Sequence, residues 1–408
     1  MRSKNIGVLV FLLVMLFALS LFAGCAPGEV EDEVPVDDDT DDVGEVPDGD
    51  VIVVGVVTAL SGAIAADGQG LQAAAQLWAD QVNEEGGLLG KEVELWVEDS
   101  ASDPMTANER ARIMVQEGID VMIGPILTAE RTATEPVATD AGIPFLYSTF
   151  YEGGAYDDLM FIVAEVPEQQ TEEFVPWLVE NRGPRFYFVG SDYEYPIYTN
   201  ERAQEYLEEA GGESVGEEYV TLGTTDFSSV ITRIEAAQPD VVFNNVVGTD
   251  AVAFSNQFYE YGLSDRITFA STTHMETYID GIGPVASEGI LVCFGYFENI
   301  DTPTNNEFIE QFREYESEVR ATTITEGAYA LLKMWGEAVE DAGTTEGDAI
   351  KEAIRGRTVE SPRGSITLRE HDHHAAMPIY IAEARDGDFV IIEDLGVLEP
   401  GEDQRQAQ

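Results

Sequence analysis

The residues of this 408-residue chain best suited to chemistry are few: four histidines, two cysteines and a scatter of hydroxyls. Three histidines fall in His371-Asp372-His373-His374. A zinc site needs ligands that converge as a tetrahedron, and adjacent residues rarely do so alone, so a structural turn without metal is expected. Cys293 lies in the apolar run Gly289 to Gly295, which reads as a buried strand, and is expected to be a small core residue. No Gly-x-Ser-x-Gly elbow, His-Glu-x-x-His pair or phosphate loop is expected, and Gly68-Gln-Gly70 lacks the third glycine of a dinucleotide fingerprint. These readings predict neither an enzyme nor a cofactor. An extracellular hydrolase ranks below the binding functions developed below.

Arg2 and Lys4, the apolar run Ile6 to Phe22 and the small pair Ala23-Gly24 before Cys25 read as an export signal. Leu21-Phe-Ala-Gly-Cys25 resembles a bacterial lipobox, which makes Cys25 a lipidation site; an uncleaved N-terminal anchor is the alternative, and both put the body outside the cytoplasm. With Cys25 lipidated, Cys293 has no disulfide partner and stability rests on packing. Residues 26 to 50 hold twelve acids, three prolines and no base, the composition of an extended tether. The net charge is −57 over the chain and −47 on residues 51 to 408, once the two leader bases and twelve tether acids are set aside. Such a surface repels phosphate backbones, so nucleic acid is excluded as a partner, and the membrane is met through the lipid anchor only.

Elements follow in alternation. Val51 to Val57 is a β-branched run suited to a strand buried on both faces, and Leu71, Ala74, Ala75, Trp78 and Val82 recur at helical spacing. Strands are predicted near 93–97, 119–124, 143–148, 185–190, 214–221, 240–245, 267–271 and 289–294, with helices between most of them. A long helical section at about 303–342 follows, then strands at 364–368, 377–384 and 388–394, the last two turned by Asp386-Gly387. The fold class expected is α/β, with two doubly wound Rossmann-like lobes and ligand contacts at the carboxyl ends of parallel strands.

Several stretches, among them VGVVTALSG (54–62), DGQGLQAAAQLWADQVNEEGGLLG (67–90), YEGGA (151–155), FYFVGSDYEYP (186–196), TDFSSVITRIEAAQPDVVF (225–243) and YFENIDTP (296–303), resemble type I periplasmic binding proteins of ABC importers, and within them the amide- and urea-binding branch of the leucine/isoleucine/valine-binding-like family. The resemblance implies two lobes joined by a three-segment hinge with crossings near 167, 294 and 360. The organisation is then a 1–25 signal peptide, a 26–50 tether, a first lobe of 51–167 plus 294–360, a second lobe of 168–293 plus 361–398, and a 399–408 tail. It also implies ligand contacts at Thr128, Tyr147 and Thr149 in the first lobe, and at Tyr193, Tyr195, Val247, Gly248, Thr272 and Thr273 in the second. Ser61 and Tyr296 are further candidates, Ser61 being equally well a turn residue.

Amino-acid receptors of this kind commonly place an acid after the strand ending near Ser271. Here Thr272 and Thr273 stand there and Glu276 is displaced, which favours a neutral ligand over a zwitterion. Gly124-Pro-Ile-Leu-Thr128 departs from the amide sensors' pattern, so the particular amide stays open. The expected function is a lipid-anchored receptor delivering a small amide or urea to ABC permease transmembrane subunits, with a branched-chain amino-acid receptor and an amide sensor as alternatives. The four lysines, at 4, 91, 333 and 351, and the acid excess are a composition suited to molar salt, where screening over roughly 3 Å blunts self-repulsion. Thermal unfolding should therefore shift upward between dilute and molar NaCl; a midpoint indifferent to salt would contradict this.

Overall fold

The computed structural model describes residues 51 to 406. The stretches read as signal peptide and tether, with Cys25, lie outside the described residues. The first sheet contains β1 (Ile52–Thr58), β2 (Val93–Asp99), β3 (Val121–Ile123), β4 (Phe145–Tyr147) and β5 (Met160–Ile162), all parallel, in the order β2-β1-β3-β4-β5. Every residue of β1 is buried. Its side chains alternate between two apolar layers: Val54 and Val56 join Leu71 and Trp78, whereas Val53 and Val57 join Ala107, Ala111 and Met114. The continuous β-branched run is thus a strand covered by helices on both faces.

The second sheet contains β6 (Arg185–Ser191), β7 (Glu213–Val220), β8 (Val241–Asn245), β9 (Thr268–Ser271), β10 (Leu291–Phe294), β11 (Thr358–Ser361), β12 (Gly364–Leu368), β13 (Ala375–Arg385) and β14 (Asp388–Leu398). Its order is β11-β12-β13-β10-β9-β8-β6-β7, with β14 beside β13. Strands β6 to β10 are parallel, and the C-terminal hairpins add antiparallel strands at β10. The α/β architecture with two lobes agrees with the sequence reading. Asp386 and Gly387 turn β13 into β14 with φ of 54° and 87°, as a two-residue primed hairpin requires.

Between β10 and β11 the chain packs on the first sheet's helices. Trp335, in the helix Thr323–Ala342, meets Trp78 of the helix Ala65–Glu84 edge-on at 6.0 Å between centroids, and Tyr329 Oη donates to Gln81 Oε1 at 2.6 Å. Differences from the expected elements are local. The expected helix over 168–181 is two, Pro167–Thr171 and Phe174–Asn181, and β5, β11 and the helices Glu276–Ile282 and Gly347–Ile354 were not anticipated.

Three passages of chain between the sheets meet at one buried ionic network. Glu165 follows β5, Gly295 follows β10, and Arg363 turns β11 into β12. Glu165 Oε1 accepts from Gly295 N at 2.8 Å and from Thr323 Oγ1 at 2.6 Å, and lies 3.4 Å from Arg363 Nη1. Arg363 also pairs with Glu326 and donates from Nη2 to the Thr323 carbonyl at 2.9 Å. A Cβ on residue 295 would stand 2.7 Å from Arg363 Nη1 and 2.9 Å from Glu165 Oε1, so glycine is needed there.

Candidate functional site

A small, partly open cavity lies where carboxyl ends of strands from the two sheets face each other. Ile64 and Asp67 come from the chain after β1, Ile126, Leu127 and Thr128 from the loop after β3, Thr149 and Phe150 from the chain after β4, and Ile324 from the helix Thr323–Ala342. The second lobe contributes Tyr193 after β6, Val247 after β8, and Met275 and Tyr278 after β9. Room for the centre of a water-sized molecule amounts to about 20 Å³. A larger open depression, about 460 Å³ and lined by Arg182, Asp240, Asp265 and Arg266, lies at the amino ends of β8 and β9. Doubly wound sheets bind at the carboxyl ends, so the small cavity is the candidate site.

The polar groups around it divide into free and committed. Thr149 Oγ1 is buried and has no hydrogen-bond partner among the described residues. The Tyr193 hydroxyl makes no hydrogen bond among the described residues, and burial holds its pKa well above the usual range. Thr128 Oγ1 is committed, donating to Glu152 Oε2 at 2.8 Å, while Glu152 Oε1 accepts from Arg131 Nη2 at 2.8 Å. That guanidinium lies over the rings of Tyr147 and Tyr151, 5.7 and 5.1 Å from their centroids. Tyr278 Oη accepts from Gly248 N at 2.7 Å.

Asp67 carries the carboxyl in the cavity wall. It sits in the first turn of the helix Ala65–Glu84, where the helix dipole favours an anion, and is 3% exposed. A Cβ on neighbouring Gly68 would fall 1.8 Å from the Ala59 carbonyl oxygen, so glycine lets the helix start press against the end of β1 and seats Asp67 at the cavity. Thr277 Oγ1, from the opposite lobe, donates to Asp67 Oδ1 at 3.0 Å. Burial pushes the Asp67 pKa up to about 6, against the smaller opposing effect of the Thr277 hydrogen bond.

Of the residues expected at the ligand, Thr128, Thr149, Tyr193 and Val247 line the cavity. Gly248 adjoins it, with its Cβ direction 3.3 Å from the Ala63 carbonyl of the other lobe. Tyr147 lies behind the wall and donates to the Ile126 carbonyl at 3.0 Å. Tyr195 does not share the outlook of Tyr193 that strand alternation predicts, because β6 ends at Ser191 and a helix begins at Glu194. Its hydroxyl instead lies 2.8 Å from Gln170 Oε1 and 3.1 Å from both oxygens of Thr272, and Thr272 Oγ1 pairs with Asn245. Thr273 Oγ1 donates to the Val246 carbonyl at 2.8 Å and Tyr296 Oη to Asn305 Oδ1 at 2.8 Å. Exposed Ser61 donates to Asp99 Oδ2 at 2.7 Å, the turn role. Asp67, Tyr278, Met275 and Ile324 were missed, as were the apolar lining residues Ile64, Ile126, Leu127 and Phe150; an acid one residue before a helix-start glycine was the available signal for the first.

Other reactive-looking residues have protein partners or are buried in the core. Cys293 is buried in β10, and burial raises its thiol pKa well above the usual range. His374 pairs with Tyr151, and His373 Nδ1 lies 3.1 Å from the Met160 carbonyl, docking their turn on the edge of β5. His371, Asp372 and Asp403 come within 4.8 Å, but Asp372 is paired with Arg369 and Asp403 with Arg405. Gly212-Glu-Ser-Val-Gly216 spells the residue pattern of a serine elbow, yet Ser214 is exposed within β7, not at a strand-to-helix turn. No described helix is long and apolar enough to cross a membrane.

A family model for periplasmic binding proteins matches residues 51–388. The chain belongs to the periplasmic binding protein family. It is therefore an extracytoplasmic solute-binding protein, of a family that binds and does not catalyse. The binding protein is similar to Leu/Ile/Val-binding protein homolog 6 of Brucella melitensis, 25% identical over 355 residues covering 83% of this chain and 90% of that one. It is also similar to Leu/Ile/Val-binding protein BraC3 of Rhizobium johnstonii, 23% identical over 329 residues covering 78% and 88%. Among solved structures, an ABC-transporter solute-binding protein of Rhodopseudomonas palustris in complex with 3,4-dihydroxybenzoic acid shares the fold with a TM-score of 0.78 at 23% identity, covering 87% of this chain and 99% of that one. A leucine-binding protein of Thermotoga maritima does so with a TM-score of 0.74 at 20% identity, covering 85% and 99%.

The Asp67 carboxyl yields a prediction whose sign follows from its raised pKa. Its protonated form is favoured in the fold, so the associated stability is full below the ordinary value of 3.8 and lost as pH rises through about 6. Asp67→Asn should stabilise the ligand-free binding protein at pH 7.5 by on the order of 3 kcal/mol, the difference closing near pH 3.5. Denaturant titrations at the two pH values check this; equal stability at pH 7.5 would show that burial does not strain the carboxylate.

Proposed function

We propose that this binding protein is the lipid-anchored receptor of an ABC transporter and captures a short-chain amide or urea between its two lobes, for delivery to the permease. The carrying observation is the lining of the cavity: apolar walls and two hydroxyls, of Thr149 and Tyr193, without hydrogen-bond partners among the described residues. Each buried polar group left unmatched costs about 1–3 kcal/mol, so a compact solute with its own donors and acceptors suits this wall better than a purely apolar one. Small neutral amides have that composition. Closing on such a solute is favoured to the extent that it contacts both lobes better than either alone.

The names of the Brucella and Rhizobium relatives support a second reading, a branched-chain amino-acid receptor. Ile64, Ile126, Val247, Met275 and Ile324 would then face an aliphatic side chain, in a cleft opened beyond its present volume. An amide sensor is less well supported, since a leader precedes the body. A thermal-shift screen in molar salt with urea, formamide, acetamide and leucine separates these readings. A ligand at 100 times its Kd adds about 2.7 kcal/mol, enough for a clear shift. The expected result is a shift with an amide or urea that Tyr193→Ala abolishes without unfolding the ligand-free protein; a shift with leucine alone would reject the amide reading.

A further inference from the structure

The cavity contains an anchor whose chemistry narrows the ligand class, an inference that rests on the cavity being the amide site proposed above. We propose that Asp67 is the specificity-determining acceptor of the site: it takes an N–H of the ligand while holding Thr277 of the opposite lobe, so the protein selects solutes bearing N–H donors and rejects isosteric carboxylates. Three observations converge on this. Asp67 lines the cavity and uses Oδ1 for Thr277, so its second carboxylate oxygen makes no hydrogen bond among the described residues. The other uncommitted groups, Thr149 Oγ1 and Tyr193 Oη, are hydroxyls able to donate to a carbonyl oxygen. A primary amide fits that set, with its nitrogen toward Asp67 and its oxygen toward the hydroxyls.

A carboxylate solute would set a second negative charge beside buried Asp67, where like charges disfavour each other strongly. The nearby guanidinium of Arg131 does not offset this, because it is engaged by Glu152. The Thr277 contact adds a conformational consequence. Thr277 opens the helix Glu276–Ile282 of the second lobe, whereas Asp67 belongs to the first turn of the first lobe's leading helix, so one carboxyl senses both the ligand and the approach of the lobes.

The test compares acetamide with acetate, which differ by NH2 against O− on the same carbon frame, by calorimetric titration at pH 7.5 in molar NaCl. The wild type should prefer acetamide by about 100-fold or more, and Asp67→Asn should narrow that preference at least about tenfold, since the amide side chain no longer repels acetate. Thr277→Val should weaken acetamide binding while leaving the preference as in the wild type. If Asp67→Asn does not fold, Asp67→Ser provides the same comparison. An unchanged preference in the Asp67 variant, with acetamide still bound by the wild type, overturns this assignment and leaves the amide reading standing. A wild type that prefers acetate overturns both.

Discussion

The Glu165 carboxylate is the point on which the two-lobed arrangement depends. It accepts hydrogen bonds from Gly295 N and Thr323 Oγ1 and lies beside the Arg363 guanidinium, so three separate passages of chain are tied to one oxygen. Glu165, Glu326 and Arg363 are all buried. Desolvating such charges costs several kcal/mol, and an apolar replacement is often as stable, whereas removing one partner of a buried pair typically costs about 3–5 kcal/mol. What the network supplies is therefore geometry: no passage slides past another without leaving a buried charge uncompensated.

From that joint the site follows. Each parallel sheet delivers loops at its carboxyl edge, and the joint turns the two edges toward each other. The first lobe offers a carboxyl and a hydroxyl, Asp67 and Thr149; the second offers Tyr193 and the Thr277 that reaches Asp67. Neither lobe alone forms an enclosure. The apolar remainder of the wall lowers the local dielectric, which strengthens the few polar contacts inside.

Long, strongly patterned elements were legible in the sequence. The β-branched run of β1 and the helical spacing of Leu71 to Val82 admit few alternatives, and Asp386-Gly387 specifies its hairpin. The three residues of β5 and the seven of the helix Glu276–Ile282 are too short to establish a period, so they passed unread. The same helix carries Tyr278 and Thr277, and its omission hid half of the Asp67 contact. Tyr195 shows the opposite failure: a strand period was extended past Ser191, where the backbone had already turned into a helix. Asp67 escaped because its role depends on tertiary approach, through Gly68 against Ala59, which local pattern does not report.

The central claim is that a small solute closes the two lobes around the Asp67 cavity. Spin labels placed on the two lobes, at exposed Met105 and Tyr261, would report their separation by pulsed electron resonance with and without saturating acetamide. The account predicts a broad, longer distance distribution without ligand and a narrower, shorter one with it. An interlobe distance that acetamide leaves unchanged, although calorimetry shows it bound, would contradict closure as the means by which the ligand is held.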